Sequence, residues 1–162
     1  MLNGCWIVVD DIEDDSDLFD GFGNGSLHMC VVCTPGWKPY MPGDVHYLDL
    51  DFHITDWETL FIKALGAHEW RQLPGGDYPE DYDEQQRSKF YESIPEFPRL
   101  RTIYDMYEDY VFDTNEARKL RDECTRLKMR LTEEPSIRAV RKLIYGCDKA
   151  IEANCSLMFV CD

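Results

Sequence analysis

The sequence predicts an α+β fold, with a small, largely antiparallel sheet packed against helices on one side. Three observations carry this expectation. The first part of the chain holds short apolar or alternating runs punctuated by acids, glycines and prolines. From Phe97 onward, apolar residues recur at steps of three and four, the period of packed helices. The chain then closes on SLMFVCD, too short and too apolar for another helix. With 162 residues and 44% hydrophobic side chains, residues 1–162 are expected to form a single domain with a real core.

Strands are predicted near 5–9 (CWIVV), 27–33 (LHMCVVC) and 45–54 (VHYLDLDFHI). The acidic stretch Asp10 to Asp20 with the following GFGNG makes the first connection, and TPGWKPYMPGD the second. A helix is predicted near 56–65. Thr55 and Glu58 form a capping box, Trp57, Leu60, Phe61, Ala64 and Leu65 make one apolar side, and Gly66 supplies the stop. Residues 74–96 are rich in proline, tyrosine and acids, with one helical stretch near 84–93.

Three further helices are expected. One near 98–110 carries Leu100, Ile103, Tyr107 and Tyr110. One near 115–131, with Asp113 and Glu116 marking its start, carries Ala117, Leu120, Cys124, Leu127 and Leu131. One near 137–153 carries Ile137, Val140, Ile144, Cys147 and Ile151. The short break TEEPS makes the last two an antiparallel hairpin. Gly146 inside the third stripe costs about 1 kcal/mol relative to alanine and marks a place where another backbone comes close. The last run is a strand near 157–161, inserted into the sheet begun by the first part. The uncovered side of that sheet is expected to face water.

The formal charge is −15, and it is placed unevenly. Residues 1–96 carry 20 Asp or Glu against 5 Lys or Arg, whereas residues 97–162 carry 12 against 12. Such a surface repels phosphate backbones and anionic headgroups, which argues against nucleic acid and membrane and for a basic protein partner. The pattern specifies no oligomeric state and no cofactor. MLNGCWIVVDDIEDD lacks a basic start and meets acids after a short apolar run, so neither a secretory signal nor a membrane span is predicted, and the expected location is cytoplasmic. Seven cysteines spread through a mid-sized chain are then read as reduced thiols.

The most chemical stretch is VHYLDLDFHI. At a period of two, Tyr47, Asp49, Asp51 and His53 share a face opposite Leu48, Leu50, Phe52 and Ile54. Next neighbours on that face lie about 7 Å apart, so adjacent pairs among Asp49, Asp51 and His53 can share a divalent ion with a bound water as nucleophile. His68 and Glu69 in GAHEW can add ligands, although no second histidine completes a helical zinc motif. An antiparallel strand with one solvated face also displays polar residues at alternate positions by default.

Cys30 and Cys33 have the spacing of a redox or zinc pair, but on a strand they point to opposite faces and no second pair completes four ligands. Cys124 and Cys147 fall on apolar stripes, where a thiol acts as a small hydrophobe. DDIEDDSDLFD lacks the spacing of a calcium loop, and GFGNG precedes a strand, the wrong context for cradling phosphate. Asp10, Asp11, Asp14, Asp15 and Asp17 ring three apolar residues, Leu18, Phe19 and Phe22. That arrangement suits a recognition loop for a basic surface, against the simpler alternative that the apolar groups enter the core. The tyrosines at 78, 82, 91, 104, 107 and 110 can line a groove, with the last three also suited to packing a helix.

The stretch FPRLRTIYDMYEDYVFDTNEARKLRDEC, continued to SLMFVCD, resembles the C-terminal part of small uncharacterised bacterial proteins, some of which look like immunity factors that neutralise toxins. The likeness covers Phe97 to Asp162 and holds no catalytic motif, so it carries over no functional residue. It implies a non-enzymatic protein that binds another protein. The alternative expectation from the residues is a metal-dependent hydrolase on Asp49, Asp51 and His53.

Overall fold

The computed structural model describes residues 18, 27–52, 60–61, 65, 96–103 and 108–161. Its elements run β1 (Leu27–Val32), β2 (Val45–Phe52), a single 3-10 turn (Leu100–Ile103), β3 (Tyr110–Phe112), α1 (Thr114–Lys128), α2 (Glu134–Ala153) and β4 (Ser156–Cys161). The four strands form one antiparallel sheet in the order β2-β1-β4-β3, an α+β arrangement. The last strand in sequence thus lies inside the sheet, between the first and the third.

Apart from His28 and Ser156, both central strands carry apolar residues on both faces, and those facing either side are buried or nearly so. Leu27, Met29 and Val31 of β1, with Leu157 and Phe159 of β4, enter the main core, while Cys30, Val32, Met158 and Val160 form a second cluster on the opposite side. The outer side is therefore not a uniformly wet face, as the sequence reading had it. Near β1 that reading missed a signal: MCVV has no polar residue at alternate positions, the mark of a strand buried on both sides.

The β1–β2 pairing shifts between His28 and Cys30, from His28 opposite Asp51 to Cys30 opposite Tyr47. Two extra residues of β2 are taken up in that step. A slip of one would turn the strand inside out, but a slip of two preserves the alternation, and Leu48, Leu50 and Phe52 all reach the main core. Phe159 packs edge-on to Phe112 at 5.9 Å and tilted against Phe52 at 6.3 Å, which ties both edge strands to β4.

α1 begins where its residues dictate. The Asp113 side chain accepts the Glu116 N–H at 2.8 Å, satisfying one of the orphan donors of the first turn. Ala117, Leu120, Cys124 and Leu127 form its buried stripe. α2 starts at Glu134, three residues before the expected boundary, because Pro135 in the first turn lacks only an N–H that has no partner there anyway. Asn154 closes it in the left-handed conformation at φ 53°, and the Cys155 N–H returns to the Ala150 carbonyl at 3.0 Å. Gly146 marks a close approach, made by sheet side chains where the sequence reading expected a backbone. A Cβ there would sit 2.6 Å from Met29 Sδ and 3.3 Å from Leu157 Cδ1.

The helix expected near 98–110 is corrected. Only the turn Leu100–Ile103 is helical among its described residues, and Tyr110 opens β3, paired with Phe159. The strand expected near 5–9 and the stretch near 84–93 lie outside the described residues. Of the helix expected near 56–65, Leu60 and Phe61 are buried in the core, Leu65 packs against it, and the Leu65 N–H donates to the Leu60 carbonyl at 3.0 Å.

Candidate functional site

The strand trio is placed only in part. Asp49 and Asp51 lie on β2, and Asp51 is the register partner of His28 on β1. His53, His68 and Glu69 lie outside the described residues. Among the described residues, no group of three or more His, Cys, Asp or Glu stands close enough to hold a metal ion. His46 pairs with Asp44 at 2.9 Å, both well exposed at the mouth of the β1–β2 loop.

Of the proposed recognition loop, Asp10, Asp11, Asp14, Asp15, Asp17, Phe19 and Phe22 lie outside the described residues. Leu18 is fully buried in the main core, so it serves packing and is not an anchor for a partner. Burial of a large apolar group there outweighs its use as a contact.

The cysteines depart most from expectation. Cys33 and Cys155 form a disulfide, with Cα atoms 4.8 Å apart, which corrects the reading of all cysteines as reduced thiols. The sheet register places them together: Val32 pairs with Ser156, and the next rung out is Cys33 opposite Cys155. The Cys33 N–H goes to the Asp44 carbonyl at 2.9 Å and that of Cys155 to Ala150, so both donors point away from each other at this rung. Opposed residues without mutual hydrogen bonds are the closely spaced kind. Cys30, on the other face from Cys33, is buried in the second cluster, and burial pushes its thiol up to about 11. Burial likewise raises Cys147 to about 12 and lifts Cys124 well above the ordinary range. Thiols so held are poor nucleophiles and poor ligands.

Two buried charges went unnoticed in the sequence. Glu123 of α1 is 3% exposed and accepts the backbone N–H of Arg99 at 2.9 Å and of Leu100 at 2.9 Å, capping the turn that leads into β3. Burial pushes its carboxyl up, against those two donors and the nearby Arg99 and Arg126. Arg99 in turn donates to Glu116 at 2.8 Å. Lys142 of α2 is 1% exposed, with its ammonium 6.0 Å from the centre of the Phe52 ring. Both residues adjoin apolar stripe positions, the one faint sign that a sequence offers. These groups bind the helices to the sheet and to the turn.

The β1–β2 connection is the best-defined exposed feature. Trp37 folds back onto the second cluster, beside Val32 and Val45, and its indole N–H donates to the Met41 carbonyl at 2.7 Å. Thr34 Oγ1 accepts the Asp44 N–H at 2.8 Å across the loop. Gly43 has no room for a side chain, since a Cβ would lie 2.5 Å from Trp37 Cδ1. Out of this frame stand Tyr40, fully exposed, and Met41, 52% exposed, with Tyr47 of β2 56% exposed.

No family model, curated protein or solved structure matches the chain. No helix among the described residues is long and apolar enough to cross a membrane.

Proposed function

We propose that the chain is a non-enzymatic acidic binding protein that docks a basic partner protein, the task performed by a toxin-neutralising immunity factor of a bacterial cell. The observation that carries this reading is charge: all of the excess of 15 negative charges falls within residues 1–96. Clustered carboxylates raise the encounter rate with a cation-rich surface about tenfold or more, and salt removes the advantage. The resemblance of residues 97–162 to immunity-like proteins points the same way.

The experiment is affinity capture on the immobilised full chain at low and at high salt, beside a variant in which Asp10, Asp11, Asp14, Asp15 and Asp17 are all Asn. Basic proteins retained at low salt, released at high salt and poorly held by the variant are the expected result. A partner held equally at both salts, or equally by the variant, counts against the proposal.

A second reading, a metal-dependent hydrolase, draws on the register that sets His28 opposite Asp51. Elemental analysis and melting with and without a chelator decide it. A tightly held metal lost on Asp51→Ala supports it, and an unchanged metal-free melt removes it. The cytoplasmic location read from the sequence and the Cys33–Cys155 bridge pull in opposite directions, because cytosolic thiols are kept reduced. Mass spectrometry of the chain alkylated directly in cells distinguishes the two.

A further inference from the structure

We propose that the β1–β2 loop is the anchor of the docking surface, with Tyr40 and Met41 gripping an arginine- or lysine-bearing patch of the partner protein. This rests on the reading of the chain as a binder of basic proteins and names the residues that make the contact.

The loop contains two turns of the same build that differ at their third residue. In Thr34-Pro35-Gly36-Trp37 the Trp37 N–H returns to the Thr34 carbonyl at 3.3 Å, with proline second and Gly36 third at φ 67°. In Lys38-Pro39-Tyr40-Met41 the Met41 N–H returns to the Lys38 carbonyl at 3.1 Å, with proline again second and Tyr40 third at φ 70°. A turn with proline second and a positive φ third asks for glycine at the third place. The chain supplies glycine in the first turn and tyrosine in the second. A bulky residue held there is strained, and such strain persists only where the surrounding structure over-determines it. Tyr40 gives the fold no packing in return, since its side chain is fully exposed. A residue that strains the backbone and buries nothing is free to serve something outside the molecule.

The frame makes the presentation rigid. Three prolines stand at 35, 39 and 42, Trp37 is pinned to the Met41 carbonyl, Thr34 is bonded to Asp44, and the Cys33–Cys155 bridge closes the base. A side chain offered on such a loop loses little freedom when it is captured, which is how rigid aromatic anchors gain affinity. The partner's chemistry follows from what is offered. An open tyrosine ring attracts a guanidinium or ammonium over its face, and a neighbouring thioether adapts to the aliphatic stem of that side chain. The exposed Asp44 carboxylate nearby is paired with His46 at 2.9 Å and Lys38 is the loop's one cation, so the pull on a cation comes from the chain as a whole, at −15. Charge thus favours a cationic occupant.

The test titrates the full chain with hexa-arginine amide at low salt and follows its NMR spectrum. The Met41 amide and Trp37 indole signals should shift and saturate, and Tyr40→Phe should bind like the wild type. Tyr40→Ala should bind about fivefold or more weakly, the effect of losing one such ring. Tyr40→Gly should show the same loss while melting no lower than the wild type, which separates contact from folding. Equal, salt-sensitive binding by wild type and Tyr40→Ala would overturn the loop as anchor and leave the basic-partner reading standing. Failure of the peptide to bind the wild type at all would overturn both.

Discussion

Replacing Cys33 and Cys155 together by serine should destabilise the protein by about 5 kcal/mol, the largest loss expected of any surface change. The bridged residues lie 122 positions apart, so in the unfolded chain the bridge closes a loop covering most of the sequence. Removing that constraint returns conformational entropy to the unfolded state, and for a loop of this length the term comes to about 5 kcal/mol at 25 °C. The folded state changes little in compensation, because the neighbouring rung Val32–Ser156 and the Asn154 cap already hold the two chain segments in place. Against a total stability of about 5–15 kcal/mol this is a large share, equivalent to about 10–20 °C in Tm at this chain length. Urea melts of the oxidised wild type, the reduced wild type and the double-serine variant measure it. The last two should agree with each other and fall well below the first. A loss under about 1 kcal/mol, in protein whose bridge has been verified by mass, would refute the loop-closure reasoning.

Two further outcomes follow from the buried and paired charges and a third from a buried hydroxyl. Glu123→Ala leaves the Arg99 and Leu100 N–H groups without their acceptor and should destabilise by about 3 kcal/mol, with Glu123→Gln in between; a thermal melt within error of wild type would contradict the capping role. Glu116, hydrogen-bonded to Arg99 and then to Lys119, is pulled down from its ordinary 4.5 to about 2. A folded-state value below the unfolded one means a contribution present above pH 4.5 and lost as pH falls toward 2, so Glu116→Gln should flatten the stability profile across that window. Ser136 is buried in the first turn of α2 and its Oγ has no hydrogen-bond partner among the described residues, so Ser136→Ala should raise stability by about 1 kcal/mol in urea melts.

How far the fold was legible depended on how many residues carried each signal. α1 was visible because the Asp113 cap and the stripe Ala117, Leu120, Cys124 and Leu127 agree over many turns. α2 was visible by period alone, since of its expected stripe only Val140 and Cys147 are buried, the buried face being completed by Ala139, Leu143, Gly146 and Ala150 one position round, and Glu133 offers no side-chain cap. β4 was visible because SLMFVC is apolar without a helical period, and its place inside the sheet follows from that double-sided apolarity. β3 was not, since three residues carry no period and Tyr107 with Tyr110 mimic a helical step. The Cys33–Cys155 bridge could not be read locally, because it is decided by which strand lies beside β1 and in what register. Tyr40 was hidden for a different reason: KPYM reads as an ordinary loop until the backbone reveals a glycine's conformation borne by a tyrosine. Of the residues named from the sequence as a docking site, Leu18 belongs to the core, and the most exposed large side chain described, Tyr40, lies in the next loop along the chain.

Steering of a basic protein onto this chain by its acidic excess is what we propose. It is tested most directly by the association rate with a captured partner, measured by stopped flow across a range of ionic strengths, for wild type and for the variant with Asn at 10, 11, 14, 15 and 17. The rate should fall steeply with salt for the wild type and less steeply for the variant, and the two should converge at high salt. Rates that coincide for the two proteins and stay level as salt rises would contradict it.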